Sequence, residues 1–196
     1  MFGHLLFLDC ETTGLNPDIH RPWEIAWKLY TVEDRTMHLV DRRCDMVSLS
    51  GVEWIQADRV ALDVGRFDQR YYMQSNTPSD YLATVFASID GKPRLVGSNP
   101  SFDDRFVGDW LGRQGASKPW HYHLIDLPSV ALGELITADV EPEELALARV
   151  AGLKSDALSK LQGVDPAKFD RHTAMGDVDW CVAWWARLFN LDVRDV

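Results

Sequence analysis

Leu8-Asp9-Cys10-Glu11-Thr12-Thr13-Gly14-Leu15 (LDCETTGL) follows His4-Leu5-Leu6-Phe7-Leu8, a short, bounded apolar run. Such a run reads as a buried strand near the start of the domain. Asp9 and Glu11 stand at i and i+2, so in an extended chain both side chains leave the same face. Two carboxylates at the end of a buried strand repel each other and lose hydration unless a cation lies between them. Thr12-Thr13-Gly14 breaks the strand straight after the acids. That leaves backbone N–H groups and two hydroxyls at the mouth of whatever the acids hold. A bare Asp-x-Glu is usually a solvated strand end; the full string is far more specific.

Downstream, Glu24-Ile25-Ala26-Trp27-Lys28-Leu29-Tyr30 reads as a second strand and Met37-His38-Leu39-Val40 begins a third. The polar link Glu33-Asp34-Arg35 suits a hairpin, and these connections are too short for helical crossovers. The first three strands should therefore form an antiparallel meander. Residues 44–76 resist assignment, although Val52-Glu53-Trp54-Ile55 and Tyr71-Tyr72-Met73 are apolar islands suited to packing over one edge. At Thr77-Pro78-Ser79-Asp80 a capping hydroxyl and a proline predict a helix start. Leu82, Val85, Phe86 and Ile89 then fall on one helical face. Arg94-Leu95-Val96-Gly97 is a fourth strand, parallel to the first because a helix precedes it. A helix from about Phe102 to Arg113 leads to a fifth strand at His123–Leu127, where Asp126 ahead of Pro128 looks like a helix cap. Helical patterns continue through 129–151, around Leu158–Leu161, and from Ala174 to Leu188. The fold class is α/β, a five-stranded mixed sheet flanked by helices.

The chain has 196 residues, 46% hydrophobic and 26% charged, without repeats or a low-complexity linker, which suits a single domain over residues 1–196. No run approaches a membrane span, and the first apolar stretch is too short and too soon acidic for a signal peptide. Cys10, Cys44 and Cys181 are few, odd in number and widely spaced, which suits a reducing, cytoplasmic setting. A net charge of −10 argues against non-specific coating of nucleic acid, which needs Lys and Arg to neutralise phosphate. It leaves room for an enzyme that meets phosphate through metal ions.

Further acids fall at telling places. Asp103, in Asn99-Pro100-Ser101-Phe102-Asp103, shares a helical face with Val107 and Trp110, so it should point into protein. Taken alone, it also reads as an N-terminal helix acid favoured by the macrodipole. Asp104, about 100° round the helix, is the better candidate for a solvated acid. In the last helix Ala174, Cys181, Trp184, Trp185 and Leu188 define an apolar stripe, and Asp177 lies on it. A carboxylate there is costly unless paired or bound to metal, whereas Asp179 lies off the stripe and should be solvated. His172 precedes Asp177 by five residues, about 140° round a continuous helix. For both to serve one site, His172 must lie in the loop before the helix, for which Pro166–Arg171 is suited.

These motifs together resemble the DEDDh family of 3′–5′ exonucleases, which includes the proofreading epsilon subunit, ribonuclease T and oligoribonuclease. Asp9 and Glu11 in LDCETTGL, Asp103 in NPSFD, and His172 with Asp177 in HTAMGD occur in family order and span nearly the whole chain. Residues 44–76 match no family motif. The resemblance implies a ribonuclease H-like fold and hydrolysis from the 3′ end of single-stranded DNA or RNA, releasing nucleoside 5′-monophosphates. It assigns Asp9, Glu11, Asp103 and Asp177 as metal ligands and His172 as the general base. Thr12 would bind the terminal nucleotide and Leu15 would wedge against a base, with Asn99 and Phe102 as further substrate contacts.

Four oxygen-ligand acids on one point suit two Mg2+ ions, with Mn2+ able to substitute. In a two-metal site the ions stand about 3.5–4 Å apart, one activating water and the other stabilising the leaving oxygen. Lys154, Lys160, Lys168 and Arg171 could form a local positive rim, or an ordinary solvated face. The alternatives are an oligoribonuclease-like enzyme limited to short RNA and a catalytically idle nucleic-acid-binding subunit; a polymerase or replication partner fits the proofreading relatives. Retention of all four acids and the histidine speaks against idleness.

Overall fold

The structure is a computed structural model that describes residues 3–71, 76–137 and 154–195. At its centre lies β1 (His4–Thr12), antiparallel to β2 (Pro22–Glu33), which is antiparallel to β3 (Thr36–Val47). Asp34 and Arg35 both take positive φ, 45° and 64°, the two-residue turn whose twist matches a hairpin. On the other side of β1, β5 (Arg94–Gly97) and β6 (His121–Asp126) run parallel to it. These are the five expected strands. Among the described residues the sheet nevertheless counts seven, because two short strands add to β3: β4 (Asn76–Thr77) and β7 (Asp192–Arg194).

Strand alternation divides the core. Leu5 and Phe7 of β1, with Ala26 and Tyr30 of β2, face α6 (Leu127–Thr137), α7 (Ser155–Leu161) and α8 (Ala174–Phe189). Leu6, Leu8 and Cys10, with Ile25, Trp27 and Leu29, face α4 (Ser79–Ala87) and α5 (Pro100–Arg113). The odd positions of β1 continue past Phe7 into Asp9 and Glu11, so the period of two delivers both acids to the side on which α8 lies.

The described residues of the 44–76 region, 44–71 and 76, are structured. β3 runs on to Val47, and three short helices follow: α1 (Gly51–Ile55), α2 (Arg59–Val64) and α3 (Phe67–Arg70). Ser50 and Glu53 form a reciprocal capping box on α1, and Asp58 caps α2. Beneath these helices lies a third cluster of Trp23, Met46, Leu62, Phe67 and Tyr71, with Trp54 edge-on to Phe67 at 4.8 Å. The expected local packing holds for Trp54 and Tyr71, while Val52 and Ile55 face solvent; Tyr72 and Met73 lie outside the described residues.

Other expectations change in detail. The Thr77 hydroxyl does not cap α4. It belongs to β4 and donates to Asp45, while Pro78 occupies the cap position without a side-chain bond. Asp126 caps α6 by accepting the Ser129 N–H, as the Asp-Leu-Pro order suggests. The 129–151 helical pattern is present as far as Thr137, and the rest of it lies outside the described residues. None of the described helices is long and apolar enough to cross a membrane.

Candidate active site

Asp9, Glu11 and Asp177 converge. One carboxylate oxygen from each lies within 4.8 Å of the others, at the meeting of the C-terminal end of β1 with the first turn of α8. Asp177 reaches this point because its helix buries a tryptophan stripe: Trp180 and Trp184 stack at 5.2 Å, and Trp185 meets Phe7 edge-on at 6.4 Å. Asp103 is buried at 3% exposure, with Val107 and Trp110 on its own face. Its Oδ1 accepts the Cys10 N–H at 3.0 Å. Asp103 thus adjoins the three-acid cluster from α5 but is held on the backbone of β1 and stands outside that cluster.

The electrostatics carry the mark of crowding. Burial, then Asp103, Asp177, Glu11 and Glu24, raises Asp9 well above the usual carboxylate range. Burial with Asp177 and Glu24 pushes Glu11 up to about 7 against the opposing pull of Arg70 and Arg66. Burial raises Asp103 to about 7 although Cys10 bonds to its carboxyl. Asp177 is also raised by burial, opposed by Arg171 and by the His172 N–H.

His172 lies in the loop immediately before α8, as the helical angle requires, exposed and with a left-handed φ of 61°. Its backbone N–H donates to Asp177 Oδ2 at 2.9 Å. Thr173 caps α8 by accepting the Gly176 N–H. No side chain fits at Gly176, because a Cβ there would run into the Asp170 carbonyl.

The expected substrate residues line two clefts. Thr12, Leu15 and Phe102 share one of about 270 Å³ with Cys10, Glu11, Val60 and Val64. Leu15 is 74% exposed there. Asn99 lies in the other, of about 460 Å³, with Ser98, Asp126 and Ser155. The threonine hydroxyls are not free at the mouth. Thr12 donates to the Gly14 carbonyl, and Thr13 accepts from the Arg21 N–H. The Thr13 N–H is also taken, by the Arg21 carbonyl.

Two acids expected to be solvated are bound. Asp104 accepts from Trp120 Nε1 and pairs with Lys118, both at 2.8 Å, which ties the loop after α5 to that helix. Asp179 pairs with the buried Lys28 at 3.0 Å, because α8 turns that side toward β2. The basic rim is mixed: Lys160 faces Asp165, and Arg171 is turned inward.

Sequence reading misses the fifth acid and the counter-charges. Glu24, the register partner of Glu11 on β2, is 1% exposed. Its Oε1 pairs with Arg70 and its Oε2 accepts the Ala174 N–H at 3.0 Å. Its signal was an acid opening a largely apolar strand. Arg171 pairs with Asp177 and with Asp156, and its guanidinium lies 3.7 Å over the Trp180 ring. Nothing in the spacing of Arg171 foretells this.

The donor set fits a divalent cation. Three oxygen donors this close repel one another, are chemically hard, and already draw one arginine as counter-charge.

No family model matches the chain, and no curated protein matches it in sequence. Solved structures do match. A zinc-bound form of E. coli exonuclease I complexed with ssDNA superposes with a TM-score of 0.69 at 19% identity, covering 96% of this chain and 40% of that one. E. coli exonuclease I with a dT13 oligonucleotide gives 0.66 and 18%, covering 97% and 43%. A further exonuclease I structure gives 0.68 and 18%, covering 96% and 42%. The chain thus spans less than half the length of these proteins. At such identities the likeness shows a common fold, the expected ribonuclease H-like one.

Proposed function

We propose that the chain is a DEDDh-type, metal-dependent 3′–5′ exonuclease acting on single-stranded nucleic acid. The observation that carries this reading is the convergence of Asp9, Glu11 and Asp177 beside Asp103, with His172 in the adjoining loop. Asp9, Glu11, Asp177 and Asp103 would hold Mg2+, or Mn2+ in its place. The ions would supply Lewis-acid polarisation of the phosphodiester and stabilise the leaving oxygen. His172, in its neutral form, would take the proton of the attacking water as the new P–O bond forms and the bond to the 3′-oxygen breaks. The released nucleotide keeps its 5′-phosphate. The cleft bearing Leu15 and Phe102 would receive the terminal base on apolar side chains, which suits a sequence-tolerant enzyme. The likeness to exonuclease I complexed with ssDNA favours DNA as substrate.

The test uses 5′-labelled DNA and RNA strands, a 3′-phosphorylated strand and a circular strand. The expected result is a ladder shortening from the far end of the labelled DNA. The circle and the blocked strand should resist, and excess EDTA should abolish the reaction. Cleavage of the circle would mean an endonuclease. Retention on a gel without shortening would mean an idle binding subunit.

A further inference from the structure

The loop that carries His172 is held from outside its own helix. Two arginines of the α2–α3 corner bear on it, Arg66 directly and Arg70 through Glu24. Arg66, itself left-handed at φ 56°, places Nη2 2.7 Å from Asp170 Oδ1 and 3.4 Å from the Arg171 carbonyl. Arg70 pairs with Glu24, whose other oxygen accepts the N–H of Ala174, the first residue of α8. The helix start therefore has three acceptors from three directions: Glu24 for Ala174, Thr173 for Gly176, and Asp177 for His172. Free N–H groups at a helix start need such partners. His172 holds a left-handed backbone that residues with a Cβ seldom adopt, so its surroundings must fix it.

The two tethers differ in weight. Arg66 and Asp170 are substantially exposed, at 38% and 68% of their side chains, and water screens such a pair. Arg70 is half-buried and Glu24 buried, at 16% and 2%, so their pairing is less screened and its loss is felt. Arg70 also donates to the Gly65 carbonyl, which fixes the guanidinium independently of Glu24.

We infer that Glu24, held by Arg70, is a positioning residue that fixes the start of α8 and so sets where the His172 ring stands relative to the acids. The α1–α3 segment is then part of the catalytic frame. This inference rests on the proposed role of His172 as general base, and its test is built so that the two can fail separately.

The first measurement needs no activity: amide exchange of Ala174 in the whole chain without metal. Glu24→Ala should speed it at least about tenfold, because a protecting acceptor is lost. Glu24→Gln keeps one acceptor oxygen for the two donors Arg70 and Ala174, so its exchange should fall between those of the parent and of Glu24→Ala. The second measurement is kinetic. Glu24→Ala should lower kcat about 10- to 100-fold, the range expected of sub-ångström misplacement, with KM and Mn2+ affinity within about threefold. Glu24→Gln, with one acceptor oxygen left, should recover part of that loss. In a His172→Ala background Glu24→Ala should cost less than about threefold, since a residue acting through another has nothing left to position.

Unchanged Ala174 exchange overturns the inference, as does a loss that multiplies in full in the His172→Ala background. Should Glu24→Ala fail to fold, Arg70→Met removes the group that holds Glu24 and leaves its carboxylate in place. It should lower kcat at least about threefold and speed Ala174 exchange, and a variant with both unchanged would overturn the account. If the parent hydrolyses no strand, the function falls while the Ala174 exchange still decides the tether.

Discussion

Arg171 shows how crowded the site is at the scale of single residues. Its guanidinium pairs with Asp177 and Asp156 and covers Trp180, so a cation already stands where a metal ligand should be free. Arg171→Gln should therefore tighten Mn2+ binding by about 3- to 10-fold, the equivalent of roughly 1 kcal/mol. It should also lower the melting temperature without metal. Calorimetric titration against the parent checks this, and unchanged affinity would mean that Arg171 does not compete. Asp9→Ala should behave in the opposite sense. It should abolish hydrolysis and weaken metal binding, yet raise the metal-free melting temperature at pH 8 by removing one of the mutually repelling acids. A fall in that temperature would show that Asp9 is a structural acid.

At the scale of elements, the segment least legible in the sequence lies against the site. Gly65 closes α2, and a Cβ there would lie 2.6 Å from Trp23 and 2.9 Å from Glu11 Oε2. Trp23 is backed by Phe67 at 4.9 Å and cannot retreat easily. Gly65→Val should thus destabilise the protein by about 1–3 kcal/mol, the range for overpacking, and weaken Mn2+ binding by displacing Glu11. Denaturant unfolding and calorimetry measure both, and a neutral result would separate α2 from the site. The contrast with β1 explains what could be read beforehand. Leu5 to Leu8 and the acids after them obey a local period of two, and Asp177 obeys the helical one, so their faces follow from spacing. The α1–α3 helices have five, six and four residues, too short for any period to register. Their structure depends on Trp23, Met46 and Tyr71 meeting across the chain. Glu24 escapes sequence reading for the same reason: its partners Arg70 and Ala174 are 46 and 150 residues away. Asp104 and Asp179 were misplaced because spacing reports a helix face but not what packs against it.

At the scale of the whole molecule, the acid cluster makes folding and metal binding depend on pH in opposite senses. Glu11 and Asp103 titrate near 7 in the folded chain, against roughly 4 when unfolded. The folded state therefore binds more protons between those values, and its advantage, complete below about pH 4, is lost as pH rises towards 7. In EDTA the contribution of these two acids should make the melting temperature fall from pH 5 to pH 8. Mn2+ should reduce the fall, while its affinity should rise over the same interval as the ligands lose their protons. A metal-free melting temperature that rises across that interval would contradict the assigned directions. All of this depends on the acids forming one metal site, which diffraction from crystals soaked in MnCl2 tests most directly. The account predicts anomalous peaks held by the carboxylates of Asp9, Glu11 and Asp177, two of them about 3.5–4 Å apart, with Arg171 displaced from Asp177. Crystals without a peak among these residues, and with Arg171 still paired to Asp177 at saturating Mn2+, would contradict it.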